Sequence, residues 1–286
     1  MIYNKITEFC SVRNIGNCFK NGSEPTPRVK FIINLLEEEG IEYEIDAFEE
    51  ERQLYKPRPR KRGRFKYLND KWWKDIDVDE DEIQEPEVEK NIFYNIIMRG
   101  TSDKMIIAHH DVNNHTTDNA NDNSCSVINV IATKKLKPSV NAVLVDGEEF
   151  GGIGSNRLGK QIVSGDFGSI SWVLNYELTG KGGKYFFIGD YPGELSNLIV
   201  KKFNCPIFDT PFNDSVTLRR YGIDSTVINP LPPLPDGRKS GIRFNDGKYL
   251  DHSMLYNCHS PKDSLSSISI PDMKEFVEEV VLKILQ

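Results

Sequence analysis

Short apolar runs punctuate this chain, and several of them end in side chains suited to binding metal or moving protons. Lys104-Met-Ile-Ile-Ala-His109-His110-Asp111 is one such run. Asn141-Ala-Val-Leu-Val-Asp-Gly-Glu148-Glu149 is a second, and Ile170-Ser-Trp-Val-Leu-Asn-Tyr-Glu177 a third. Runs of this length bounded by turn residues predict buried strands. Further strands are expected at residues 41–45, 91–98, 184–188 and 226–228. Helical spacing is clearest over residues 26–40, where Val29, Phe31, Ile32, Ile33, Leu35 and Leu36 form a broad apolar face before Gly40. A second helix is expected from Val127 to the lysines at 134, 135 and 137, and a third from Pro271 to the C-terminus. Strands alternating with helices predict an α/β fold of three layers, α/β/α, with a mixed, mainly parallel central sheet.

Side chains alternate in direction along a strand, so His109 and Asp111 share one face and His110 takes the other. A carboxylate beside a ligating histidine holds its tautomer and raises its basicity, which suits Asp111. Glu148 and Glu149 at the tip of a buried strand are costly unless something pairs with them, and a metal ion is one such partner. A solvated acidic turn is the plainer reading of that pair. Asp122, in the polar stretch Asp118-Asn-Ala-Asn-Asp122-Asn-Ser, lies just before a helix and reads equally as an N-cap. Glu177 ends a strand, and His259 belongs to a late loop, Tyr256-Asn-Cys-His259-Ser-Pro-Lys-Asp263. In open α/β sheets, sites form outside the carboxyl ends of the strands, which is where these groups would meet.

Taken together, these segments resemble the co-catalytic zinc exopeptidases of the bacterial leucyl aminopeptidase type, relatives of glutamate carboxypeptidases and glutaminyl cyclases. The matching motifs are His109-His110-Asp111, Asn121-Asp122-Asn123, Glu148-Glu149 followed by Phe-Gly-Gly-Ile-Gly-Ser, Asn175-Tyr176-Glu177 and His259-Ser-Pro-Lys-Asp263. Asp214 with Gly222-Ile223 is a weaker match. The resemblance implies two zinc ions, or one as in some cyclases. Asp122 would bridge them, His109 and Glu177 would complete one, and Glu149 and His259 the other. Glu148 would be the general acid/base and Asp111 would orient His109. The resemblance also implies a cis peptide bond between Asp122 and Asn123. The expected activity is that of an aminopeptidase on peptide substrates. Carboxypeptidase action, glutaminyl cyclisation, or an inactive relative that binds RNA or protein are the alternatives. Glu177 is one methylene longer than the Asp common at that position, which leaves metal count and reaction type open.

The chain has 286 residues, 38% hydrophobic and 28% charged, as expected for one peptidase-like domain spanning 1–286. A net charge of −7 gives no drive toward nucleic acid, and no apolar run reaches membrane-spanning length. Five cysteines without CxxC spacing, and no long apolar N-terminal core, point to free thiols and a cytoplasmic setting. Cys125 is expected to be a packed thiol. Composition shifts at about 51–90: Lys56 to Lys66 carries seven positive charges and Asp75 to Glu89 nine negative ones. This reads as an insertion whose halves neutralise each other, with Trp72 and Trp73 packing it down; the alternative is a basic stripe whose Phe65 and Tyr67 touch RNA or an acidic partner. A proline-rich stretch follows Asn229, and its Arg238 and Arg243 read as solvated loop charges or as readers of a substrate carboxylate.

Overall fold

A computed structural model of the protein describes residues 2–12, 25–54, 87–112, 118–235, 238–239 and 241–286. Its strands are β1 (Glu44–Leu54), β2 (Glu87–Met98), β3 (Lys104–His109), β4 (Asn141–Val145), β5 (Trp172–Tyr176), β6 (Phe186–Gly189), β7 (Ile207–Phe208) and β8 (Ser225–Pro230). They form one eight-stranded sheet in the order β1-β2-β4-β3-β5-β8-β6-β7. The centre, β4-β3-β5-β8, is parallel, whereas β2 joins β4 and β6 joins β8 antiparallel. The mixed α/β fold expected from the alternation of elements is therefore present.

Strand periodicity divides the interior in two. Ile106, Ala108, Ala142, Leu144, Leu174 and Tyr176 pack with α2 (Pro27–Glu39), α3 (Cys125–Leu136), α5 (Glu194–Phe203) and the C-terminal helix. The alternate residues Met105, Ile107, Val143, Val145 and Val173 pack with Leu158 and Ile162 of α4 (Ile153–Ser164) and Leu218 of α6 (Asp214–Arg219). Each buried aliphatic side chain contributes roughly 1.5–3 kcal/mol. A one-residue slip of β3 would exchange the two faces, so this burial fixes the register that aims His109. The C-terminal helix begins as α7 (Ile270–Glu275), passes through a π-helical stretch Phe276–Val281 and ends in α8 (Leu282–Ile284). No described helix is long and apolar enough to cross a membrane.

The helix expected at 26–40 is α2. Thr26 caps it by accepting the Val29 amide at 3.3 Å, and Gly40 ends it at φ 63°. The structure differs from the sequence reading at β1, at the start of α3 and in four further helices. The strand expected at 41–45 instead runs from Glu44 to Leu54, paired with β2 from Ile97 to Glu87. The supposed insertion thus contributes its two ends to the sheet. An edge strand has little apolar signal to announce it, and Glu49, Glu50 and Glu51 disguised this one. Residues 55–86, including Phe65, Tyr67, Trp72 and Trp73, lie outside the described residues. At the start of α3, no side-chain cap forms at Ser124, and Asp122 is not a cap. At the other end of α3, Lys134 is buried and donates to the carbonyls of Arg99, Pro138 and Val140. The helices α1 (Ile6–Ser11), α4, α5 and α6 were not foreseen.

Candidate metal centre

Three neighbouring parallel strands deliver most of the site. β3 ends at His109, β4 leads through Asp146-Gly147 to Glu148 and Glu149, and β5 leads directly to Glu177. Gly147 has φ 73°, and a Cβ there would stand 2.9 Å from the Phe93 ring. A side chain would therefore be excluded at the bend that turns the two glutamates toward the neighbouring strand end. Between β3 and α3 the chain makes a π-type turn, Ala120–Ser124, in which Asp122 leaves helical geometry at φ −108°, ψ 88°. The Asp122–Asn123 peptide bond is cis, as expected.

Asp122 stands between two histidines. His109 Nε2 is 3.4 Å from Asp122 Oδ1 and 3.5 Å from Glu177 Oε2. His259 Nε2 is 3.2 Å from both Asp122 Oδ2 and Glu149 Oε1. The donor atoms of His109, Asp122 and Glu177 lie within 4.8 Å of one another, as do those of Asp122, Glu149 and His259. Each cluster offers one imidazole nitrogen, one oxygen of the shared carboxylate and one further carboxylate oxygen. That donor set suits a divalent cation with positions left for substrate. Three carboxylates, two of them on residues almost wholly buried, converge here on two imidazoles. The carboxylates outnumber the imidazoles, a balance that a bound cation would complete.

The surrounding hydrogen bonds fix these donors. Asp111 lies 3.3 Å from His109 Nδ1 and accepts the amides of Glu148 and Glu149 at 3.1 Å each. One carboxylate thus joins the end of β3 to the Glu-Glu turn. Asp263 accepts the amides of Asn121 and Asp122 at 2.7 and 3.1 Å, so the loop carrying His259 is tied to the Asp122 turn. Asn175 Nδ2 donates to Glu177 Oε1, leaving Oε2 toward His109. Asn123 accepts the Leu178 amide and donates to the Tyr176 carbonyl, bracketing Glu177. Leu178 and His259 both adopt left-handed backbone, at φ 55° and 57°. Such conformations are rare for side chains like these and persist where neighbours hold them.

Charge follows from this arrangement. Burial works against a charged His109, but Glu177, Asp111 and Asp122 outweigh it and raise its pKa well above the ordinary value. The hydrogen bond to Asp122 leads in raising His259 to about 9. Burial pushes Asp122 upward, yet its bonds to both histidines hold it below the usual carboxylate range. Burial pushes Glu148 up to about 10; His109 opposes the shift, while Asp214 and Glu177 add to it.

All seven residues singled out from the sequence, His109, Asp111, Asp122, Glu148, Glu149, Glu177 and His259, thus come together around one end of the sheet. Asp214, noticed only as a weak motif, is fully buried at the start of α6, with its carboxyl raised to about 7 by burial. Cys125 is a buried free thiol, as expected. Arg243 is exposed and its guanidinium lies 5.9 Å from the centre of the Tyr249 ring.

The sequence profile described as peptidase family M28 matches residues 95–283, which include every residue of this cluster. The chain belongs to peptidase family M28. That membership bears out the resemblance read from its motifs. Curated protein sequences give no significant match. In fold, this M28 chain is similar to an aminopeptidase from Aneurinibacillus sp. strain AM-1, with TM-score 0.65 and 13% identity over 99% of this chain and 93% of that one. It is similar to an Acidobacteriales bacterium glutaminyl cyclase, with TM-score 0.64 and 14% identity over 99% and 92%. It also resembles BSAP, a zinc aminopeptidase from Bacillus subtilis, with TM-score 0.51 and 14% identity over 71% of this chain. The M28 chain spans about half of that protein, 53% of its length.

Proposed function

We propose that this protein is a zinc-dependent aminopeptidase that removes residues from the N-terminus of peptides. The observation that carries the proposal is the pair of ligand clusters sharing Asp122, with Glu148 next to the ligand Glu149. His109, Asp122 and Glu177 would hold one zinc ion, and Asp122, Glu149 and His259 the other. Bound zinc supplies positive charge that polarises the peptide carbonyl and acidifies water.

The protein's own residues do the rest. Glu148 takes a proton from the attacking water and returns it to the leaving amine as the C–N bond breaks. Glu148 is held up at about 10 mainly by burial, and a cation bound by Asp122 and Glu149 would lower it toward neutrality. Asp111 keeps His109 oriented and holds the amides beside Glu148, fixing the base relative to the ligands. The carboxylates that surround Glu148, namely Asp214, Glu177 and Asp111, make a site that attracts a cation. The fold likeness to an aminopeptidase supports aminopeptidase over carboxypeptidase action.

Glutaminyl cyclisation is the second reading. It is favoured by Glu177 in place of Asp and by a fold likeness to a cyclase equal to that with an aminopeptidase. In a cyclase the substrate's own amine attacks, and Glu148 would shuttle its proton. A peptide panel separates these reactions. Free-amine peptides should lose their first residue, N-acetylated ones should survive, and peptides beginning with glutamine should be hydrolysed rather than lose ammonia. Ammonia release without hydrolysis would overturn the aminopeptidase reading in favour of the cyclase.

A further inference from the structure

We propose that Arg28 is a positioning residue of the metal centre, although it belongs to α2 and lies outside the residues the family profile matches. The inference rests on reading the His109–Asp122 cluster as a metal site. Arg28 is almost completely buried, at 1% exposure. A buried guanidinium is costly unless its donors find acceptors, and two acceptors here belong to the metal centre's own segments. Its Nε donates to the His110 carbonyl at 2.9 Å, and its Nη2 donates to Ser124 Oγ at 3.1 Å. The guanidinium lies 4.0 Å from the centre of the Phe9 ring of α1.

Its two acceptors occupy telling places. His110 stands between His109 and Asp111 at the end of β3. Ser124 ends the turn that carries Asp122, and its hydroxyl donates in turn to the Asn119 carbonyl at 2.6 Å. One rigid, planar group therefore spans the two segments whose separation sets the distance between His109 and Asp122. Lysine, with a single flexible ammonium, cannot reproduce that fork. These two bonds go to a backbone carbonyl and a hydroxyl. Arg28 acts through them, and so is expected to alter metal affinity rather than the chemistry of the donors.

The test is metal affinity, measured by chelator competition with zinc and by titration with Co2+ followed in its visible absorption, below the melting temperature of every variant. The full-length variants are Arg28→Met, Arg28→Lys, Ser124→Ala and the Arg28→Met/Ser124→Ala pair. Leu35→Ala serves as control, a buried position about two turns along the same helix. Arg28→Met is expected to weaken metal binding roughly 10–100-fold, the range typical for partners of ligating residues. Ser124→Ala should weaken it less, and the pair by less than the two single effects combined, because the two share one interaction. Arg28→Lys should recover part of the loss, and Leu35→Ala should bind metal like the wild type.

Wild-type affinity in Arg28→Met, or an equal loss in Leu35→Ala, would overturn the positioning role while leaving the metal centre intact. If Arg28→Met does not fold, unchanged affinity in both Arg28→Lys and Ser124→Ala has the same force. A wild-type protein that binds neither ion would fail earlier, at the metal-centre reading itself, and take this proposal with it.

Discussion

Asp111 Oδ1 lies 3.3 Å from His109 Nδ1, on the ring nitrogen opposite the one that faces Asp122 and Glu177. That relationship fixes the imidazole so that Nε2 is the nitrogen left for a metal. It also predicts the cost of Asp111→Asn. The amide keeps one acceptor oxygen: in one orientation the Glu149 amide loses its partner, and in the other both the His109 contact and the Glu148 amide lose theirs. Metal affinity and turnover are each expected to fall roughly 10–100-fold. Chelator competition and steady-state kinetics on the folded variant check this.

Glu148 and Glu149 should separate cleanly on mutation. Glu148→Gln is expected to retain zinc at the wild-type stoichiometry while turnover falls roughly 10²–10⁴-fold, the usual contribution of a positioned proton carrier. Glu149→Gln is expected to lose zinc, because the oxygen facing His259 belongs to it. Metal analysis alongside kinetics distinguishes the two, and a Glu148→Gln variant that keeps full activity would remove Glu148 from the mechanism.

Zinc must displace protons from the two histidines. In metal-stripped protein His109 is raised well above its ordinary pKa and His259 to about 9, so both hold protons at neutral pH. Zinc affinity should therefore fall as pH drops below about 9, and zinc added to weakly buffered protein at pH 7 should acidify it. Stability of the stripped protein runs the other way. A raised histidine pKa stabilises the fold fully below the unfolded value of about 6.5, and that contribution fades as pH rises through the folded value. Melting temperature in chelator is thus expected to decline from pH 6.5 toward pH 9, with His259 and the raised carboxyls of Glu148 and Asp214 acting in the same direction. A melting temperature that rises over that interval would contradict the ion-pair geometry.

Asp214 raises the Glu148 pKa through like charge. Asp214→Asn removes that charge, and the acid limb of kcat/KM is expected to move to lower pH. A move to higher pH would show that Asp214 does not act on Glu148 in this way.

Much of the site was legible because its residues follow apolar runs. Ala142 to Val145 are fully buried, and so is the run before His109, which makes the strand ends easy to find and the groups beyond them conspicuous. Alternation placed Asp111 on the His109 face, and the structure puts the two in contact. Other residues carried no such signal. Arg28 looks like any solvated charge near a helix start, since nothing local reveals that α1 and the Asp122 turn close over it. Asp214 opens a helix of six residues, too short for its apolar face to stand out. β1 continues through a run of glutamates, because an edge strand need not bury both faces.

The central claim is metal-dependent removal of N-terminal residues, and its most direct test is amino-acid release from one unblocked peptide. Release is measured before chelation, after chelation and after zinc is restored. The expected result is release that stops with the chelator and returns with zinc. Release that continues unchanged in fully stripped protein, or none from zinc-loaded protein, would contradict the account.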